Sequence, residues 1–169
     1  MNKNKIVFTF ATAEVNFIGQ IFIKITELLT GKLKLKKLYD EYLSENRPPE
    51  LFWDDAVDKL NFTLITNFQN GSYIPKKGKL IVIANHAFGV ADGVSICSAI
   101  SKVRQDYKMV THKVLRQAEA VKDKILPIDF NENREALITN INTRKEAEKV
   151  LHNEGCLLYT SPSPRDSDT

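Results

Sequence analysis

Apolar and polar positions alternate along the chain with two periods, one helical and one strand-like. Val15, Ile18, Ile21, Phe22, Ile25, Leu28 and Leu29 recur at steps of three and four, which predicts an amphipathic helix capped by Thr12 and ended by Gly31. After a basic stretch (Lys32, Lys34, Lys36, Lys37), Leu35, Leu38, Tyr39 and Tyr42 predict a second helix, broken at Asn46-Arg47-Pro48-Pro49. A short third helix is predicted over 50–60, carrying Leu51, Phe52, Val57 and Leu60. Alternation over 62–66 predicts a strand, with turns at Asn70-Gly71 and Lys77-Gly78. The continuous apolar run 80–84 predicts a strand buried on both faces. Beyond it the pattern predicts a helix over 92–103, a strand over 108–111 and a helix over 118–124. A strand over 125–128 follows, placed at an edge or strand end by Pro127, and then a long helix over 133–153. Leu137, Ile141, Ala147, Val150 and Leu151 are available for one side of that last helix.

Strands alternating with helices imply an α/β fold, a layered sheet flanked by helices. The 169 residues are 43% hydrophobic, enough apolar surface for one domain with a core and too much for disorder. A net charge of +3, with no aromatics interleaved among the basic residues, argues against nucleic acid. Two cysteines make neither a disulfide framework nor zinc-ligand spacing, so a reducing cytoplasmic setting and no metal are expected. No run approaches the ~20 apolar residues that span a bilayer, and the start lacks a signal-peptide pattern. Trp53 and Phe52 read as core residues, with interfacial anchoring as the alternative, Cys97 reads as a buried small hydrophobe, and His112 and His152 have no partners at metal spacing.

The last fourteen residues, CLLYTSPSPRDSDT, differ in composition from the rest. Cys156 through Asp166 resemble the translation of a transposon-type sequencing adapter. Segments of this kind are set aside when a fold is derived from sequence. On this reading the natural sequence stops near Gly155, Cys97 is its only cysteine, and the net charge without the tail rises to +4. The strand due after the last helix is then missing, and the sheet is incomplete at the C-terminus.

The stretch 80–93, LIVIANHAFGVADG, carries the candidate chemistry. A strand runs directly into Asn85 and His86, and ligand sites in open α/β sheets sit at the carboxyl ends of strands. An imidazole there can accept a proton at neutral pH, and a carboxylate on its second nitrogen would fix its tautomer. Asp92 is the nearest candidate. Six residues at 100° per residue do not bring two side chains to one helix face, so the link must be irregular, and Gly89 supplies the freedom for a turn. The same residues also fit a structural histidine beside a helix-capping aspartate.

Asn85-His86-Ala87-Phe88-Gly89-Val90-Ala91-Asp92-Gly93 resembles the signature of the lysophospholipid acyltransferase superfamily, which includes 1-acylglycerol-3-phosphate acyltransferases. With five residues between His and Asp it is similar to a hemolysin-like or lyso-ornithine-lipid acyltransferase-like subgroup, whose motif is Asn-His-Pro-x-Gly-x-x-Asp-Gly; Ala87 replaces the Pro. The resemblance continues through 111–115, 126–130 and Arg134-Glu135-Ala136, and covers roughly 60–155. It implies that His86 and Asp92 are catalytic. His86 would deprotonate a lysolipid hydroxyl, Asp92 would orient it, and the alkoxide would attack a thioester of acyl carrier protein or coenzyme A. Asn85, Phe88, Gly89, Lys113 and Arg134 would bind the acceptor. No cofactor beyond the acyl thioester is implied. Many glycerol-phosphate-acylating relatives carry Arg where Phe130 stands, which leaves room for an aminolipid acceptor. The family's next motif, Phe-Pro-x-Gly, is due just after Gly155, so a chain ending in the adapter-like tail is expected to be poorly stable and inactive.

The resulting organisation is N-terminal amphipathic helices over 1–60 at a membrane surface, an acyltransferase core over 61–155 and a non-native tail over 156–169. The implied location is cytoplasmic, peripheral on the inner face of the cell membrane. Two other functions compete with acyl transfer to a lysolipid. One is hydrolysis of the thioester by the same pair; the other is a membrane-surface lipid-binding module without catalysis.

Overall fold

A computed structural model of the chain describes residues 32–67, 74–85 and 87–161. The predicted helix over 12–31, the Asn70-Gly71 turn and His86 lie outside the described residues. Among the described residues there are four helices, α1 (Lys32–Ser44), α2 (Phe52–Leu60), α3 (Val90–Ser101) and α4 (Arg134–His152). Four strands accompany them, β1 (Leu80–Asn85), β2 (Tyr107–His112), β3 (Ile125–Ile128) and β4 (Cys156–Ser161). All pairings are parallel, in the order β1-β4-β2-β3. The chain is therefore mixed α/β, a four-stranded parallel sheet flanked by helices.

Side chains alternate across the sheet, and the register sorts them into two faces. Leu80 pairs with Cys156, Cys156 with Tyr107, Leu158 with Met109, and Met109 with Ile125. These residues share one face and one core with Val94, Cys97 and Ile100 of α3. Cys156 and Leu158 are fully buried there. α2 packs outside α3, and its Trp53 donates an indole N–H to the Tyr107 hydroxyl at 2.6 Å, a core role as expected. Tyr39 and Tyr42 of α1 extend the cluster through edge contacts with Phe52.

α4 covers the opposite face over β3, β2 and β4. Asn133 caps it, its Oδ1 accepting from the Ala136 N–H at 2.8 Å. Buried Thr143 donates to the Pro127 carbonyl at 2.6 Å, tying the helix to β3, whose edge position agrees with the proline. The helix turns Ala136 and Thr143 inward, leaving Leu137 and Ile141 exposed rather than on the buried side.

Several sequence expectations are corrected. Among the described residues β1 is an edge strand, not one buried on both faces: Ile81 and Ile83 are 53% and 69% exposed. Burial alternates over 62–65, but residues 62–67 form no strand, because they join no ladder among the described residues. Residues 118–124 form no α-helix; short 3-10 turns, Lys113–Gln117 and Lys122–Lys124, bridge β2 to β3. Residues 156–161, expected outside the fold, occupy the slot between β1 and β2, so the strand due after the last helix is present. CLLYTS has the apolar, β-compatible pattern that a central parallel strand requires.

Candidate functional site

Because the strands are parallel, their carboxyl ends share one side of the molecule. Asn85, His112 and Ile128 are the last residues of β1, β2 and β3, and the segments that follow them form the rim of this side.

At β1 the chain leaves the sheet through Asn85, which is exposed, and turns over residues 87–89 into α3. Gly89 has φ 61° and ψ −122°, the geometry of the first central residue of a type II′ turn. The Ala91 N–H donates to the Phe88 carbonyl at 3.4 Å and closes that turn. A non-glycine residue at this φ would be strained. Asp92 lies in the first turn of α3, where the helix dipole favours a negative charge. Its Oδ2 accepts the Phe88 N–H at 2.7 Å. Residues 88–91 thus turn at Gly89 into α3. Among the described residues, Oδ1 of Asp92 accepts no hydrogen bond.

At β2 and β3 the rim is a polar network. Lys113 pairs with buried Asp129 at 2.7 Å, and Oδ1 of Asp129 accepts the Asn131 N–H at 3.2 Å. Asn140 of α4 accepts from the Asp129 N–H at 2.9 Å and donates to the Asp129 carbonyl at 2.8 Å. The Lys113 ammonium holds the Asp129 carboxyl below its ordinary range, against the opposing effect of burial. The charge of Lys113 is therefore already matched inside the protein by a residue sixteen positions away. Arg134 is the first residue of α4, exposed, and makes no ion pair among the described residues. A cation at a helix N-terminus opposes the dipole, so helix stability does not account for it.

His112, to which the sequence assigned no chemistry, belongs to the same rim. Its Nδ1 accepts the Val114 N–H at 3.1 Å, capping the 3-10 turn, and its ring stacks on Phe130 with centroids 5.6 Å apart. Burial, with Lys113 adding to it and Asp129 opposing, pulls its pKa below the ordinary value. Position at a strand end was the only signal available for this residue.

An apolar groove of about 550 Å3 is lined by Ile81, Ile83 and Val82 of β1, Ile96 and Ile100 of α3, and Ile74. Its volume falls in the range of small-molecule sites. Cys97 is fully buried against the Met109 sulfur at 3.4 Å, and desolvation raises its pKa, which suits packing and not nucleophilic attack. Among the described residues no cluster of His, Cys, Asp or Glu could hold a metal ion. Nor, among them, is any helix long and apolar enough to cross a membrane. Neither a family model, nor a curated protein, nor a solved structure matches the chain.

Proposed function

We propose that this chain is the core of a lysolipid O-acyltransferase. His86 takes the proton of a lysolipid hydroxyl while Asp92 orients its imidazole. The resulting alkoxide attacks the thioester carbonyl of an acyl carrier protein or coenzyme A conjugate. The C–S bond breaks, and the proton held by His86 passes to the leaving thiolate.

The observation that carries this reading is the Phe88 N–H to Asp92 hydrogen bond across the Gly89 turn. It engages only one carboxylate oxygen of Asp92 and leaves the other for a second partner, although a helix-capping aspartate makes the same bond. The apolar groove along β1 adds a surface of the chemistry an acyl chain needs, on the strand that leads into the motif. Phe130, where many phosphate-acylating relatives carry arginine, and a Lys113 already neutralised by Asp129 together favour an acceptor without a phosphate head.

The test is acyl transfer from a labelled thioester to lyso-ornithine lipid and to lysophosphatidate. It uses the 169-residue chain, in which Cys156–Ser161 is the central strand. His86→Ala is expected to lower turnover by ~10²–10⁴ and Asp92→Asn to lower it substantially without abolishing the fold. Unchanged acyl transfer in His86→Ala overturns the proposal, and release of free fatty acid alone assigns the site to thioester hydrolysis.

A further inference from the structure

Among the described residues the sheet has two edges, β1 and β3, and they are guarded differently. β3 is four residues long and carries Pro127, which cannot donate to a ladder. β1 is six residues long, LIVIAN, with no charge and no proline, and its register with β4 is unbroken by a bulge. An edge of that kind is a template for another strand. The Leu80 N–H donates to the Gly155 carbonyl at 3.2 Å, so the backbone groups at even positions of β1 point to β4. By alternation, those of Ile81 and Ile83 point away from the sheet. Among the described residues, nothing bonds to the N–H or C=O of Ile81 or Ile83.

We propose that β1 is a self-association edge. Two copies of this chain pair their β1 strands antiparallel about a two-fold axis, joining two four-stranded sheets into one. The inference does not depend on the acyltransferase reading.

The order of side chains names a second copy as the occupant. A two-fold axis perpendicular to the sheet keeps each side chain on its own face, so odd positions meet odd ones and even meet even. With Val82 on the axis, Ile81 of each copy lies opposite Ile83 of the other, and Leu80 lies opposite Ala84. The run from Leu80 to Ala84 is thus its own complement, with β-branched residues meeting across the three middle positions. The same register satisfies the backbone. Ile81 and Ile83 carry the outward N–H and C=O groups, so each Ile81–Ile83 pair exchanges both hydrogen bonds, and the two Val82 residues form the close pair between them. Moving the axis by one residue sets Ile81 against Asn85, or Lys79 against Ile83. An unrelated strand would need this match by chance, whereas a second copy has it by construction.

Area sets the strength. A strand of six residues is about 20 Å long and offers on the order of 400 Å2 per copy, about half the ~800 Å2 per partner of a standard interface. The dimer is therefore expected to be weak, forming over about 10–100 µM.

The experiment uses the full 169-residue chain in sedimentation velocity from about 1 to about 100 µM. The weight-average coefficient is expected to rise from monomer toward dimer. Ile83→Lys puts a charge on the edge at an exposed position and should weaken association about tenfold or more, with the thermal melt retained. Val82→Cys reads the register without relying on that variant. Its two thiols meet on the axis and should oxidise to a disulfide-linked dimer. Ile83→Cys should not, because its two copies lie two residues apart along the pair, beyond the ~7 Å Cα reach of a disulfide. The native Cys97 and Cys156 are buried and do not compete. A chain that stays monomeric at the highest concentration overturns the proposal. If Ile81 and Ile83 amides then exchange slowly with solvent, another segment of the same chain holds the edge. A dimer unchanged by Ile83→Lys, or one in which Ile83→Cys links as readily as Val82→Cys, overturns it as well.

Discussion

Arg104 and Asp106 are joined as a bidentate pair, Nε to Oδ1 at 2.7 Å and Nη2 to Oδ2 at 2.6 Å. The same guanidinium, almost wholly buried, donates to the carbonyls of Pro75 at 3.1 Å, Gly78 at 2.9 Å and Glu154 at 3.0 Å. One side chain thus ties the entry to β1, the loop before β2 and the junction into β4. The planar fork of arginine can serve this many acceptors at once, and lysine cannot.

Arg104→Ala is expected to destabilise the fold by about 2–4 kcal/mol, because three carbonyls lose their donor along with the ion pair. Arg104→Lys should recover only part of that loss, since it restores charge without the fork. Urea unfolding midpoints of the two variants against the parent provide the measurement, and a parent-like Arg104→Ala midpoint would remove the residue from this role.

His112 gives the fold a pH dependence whose sign follows from its lowered pKa. Unfolded histidine binds a proton near ~6.5, while the folded imidazole, buried and with Nδ1 engaged by Val114, binds it only at lower pH. Its stabilising contribution is present above ~6.5 and declines as pH falls through that value toward the folded pKa. His112→Asn keeps an acceptor for the Val114 N–H and removes the titration. Its stability should therefore change less than the parent's between about pH 7.5 and about pH 5, compared by urea denaturation at both. Equal pH slopes in the two proteins would contradict this.

The central strand makes its own demand. Leu158 is fully buried between β1 and β2, so Leu158→Ala is expected to cost about 2–5 kcal/mol. Gly155, which leads into the strand, is equally constrained: a Cβ there would lie 2.8 Å from the Val150 carbonyl oxygen. A chain stopped after Gly155 should show no cooperative thermal transition by circular dichroism. A sharp melt from that shortened chain would mean that β1 and β2 hold together without β4.

Local patterns determined much of this protein. The helices over 32–44, 52–60, 90–101 and 134–152, the strand before Asn85 and the turn at Gly89 depend on residues close in sequence, where period and backbone freedom act directly, whereas the helix expected over 118–124 did not form. Tertiary structure alone decided that β1 is an edge, that residues 62–67 stay unpaired and that Cys156–Ser161 stands in the middle of the sheet. Strand order is a property of non-local pairing, and a short apolar run reads the same at the centre as at an edge. The partners of Arg104, Lys113 and His112 were hidden for the same reason. Hydrogen bonds and ion pairs depend on distance in space, and the chain's spacing does not record which distant carbonyl or carboxylate a folded sheet brings within reach.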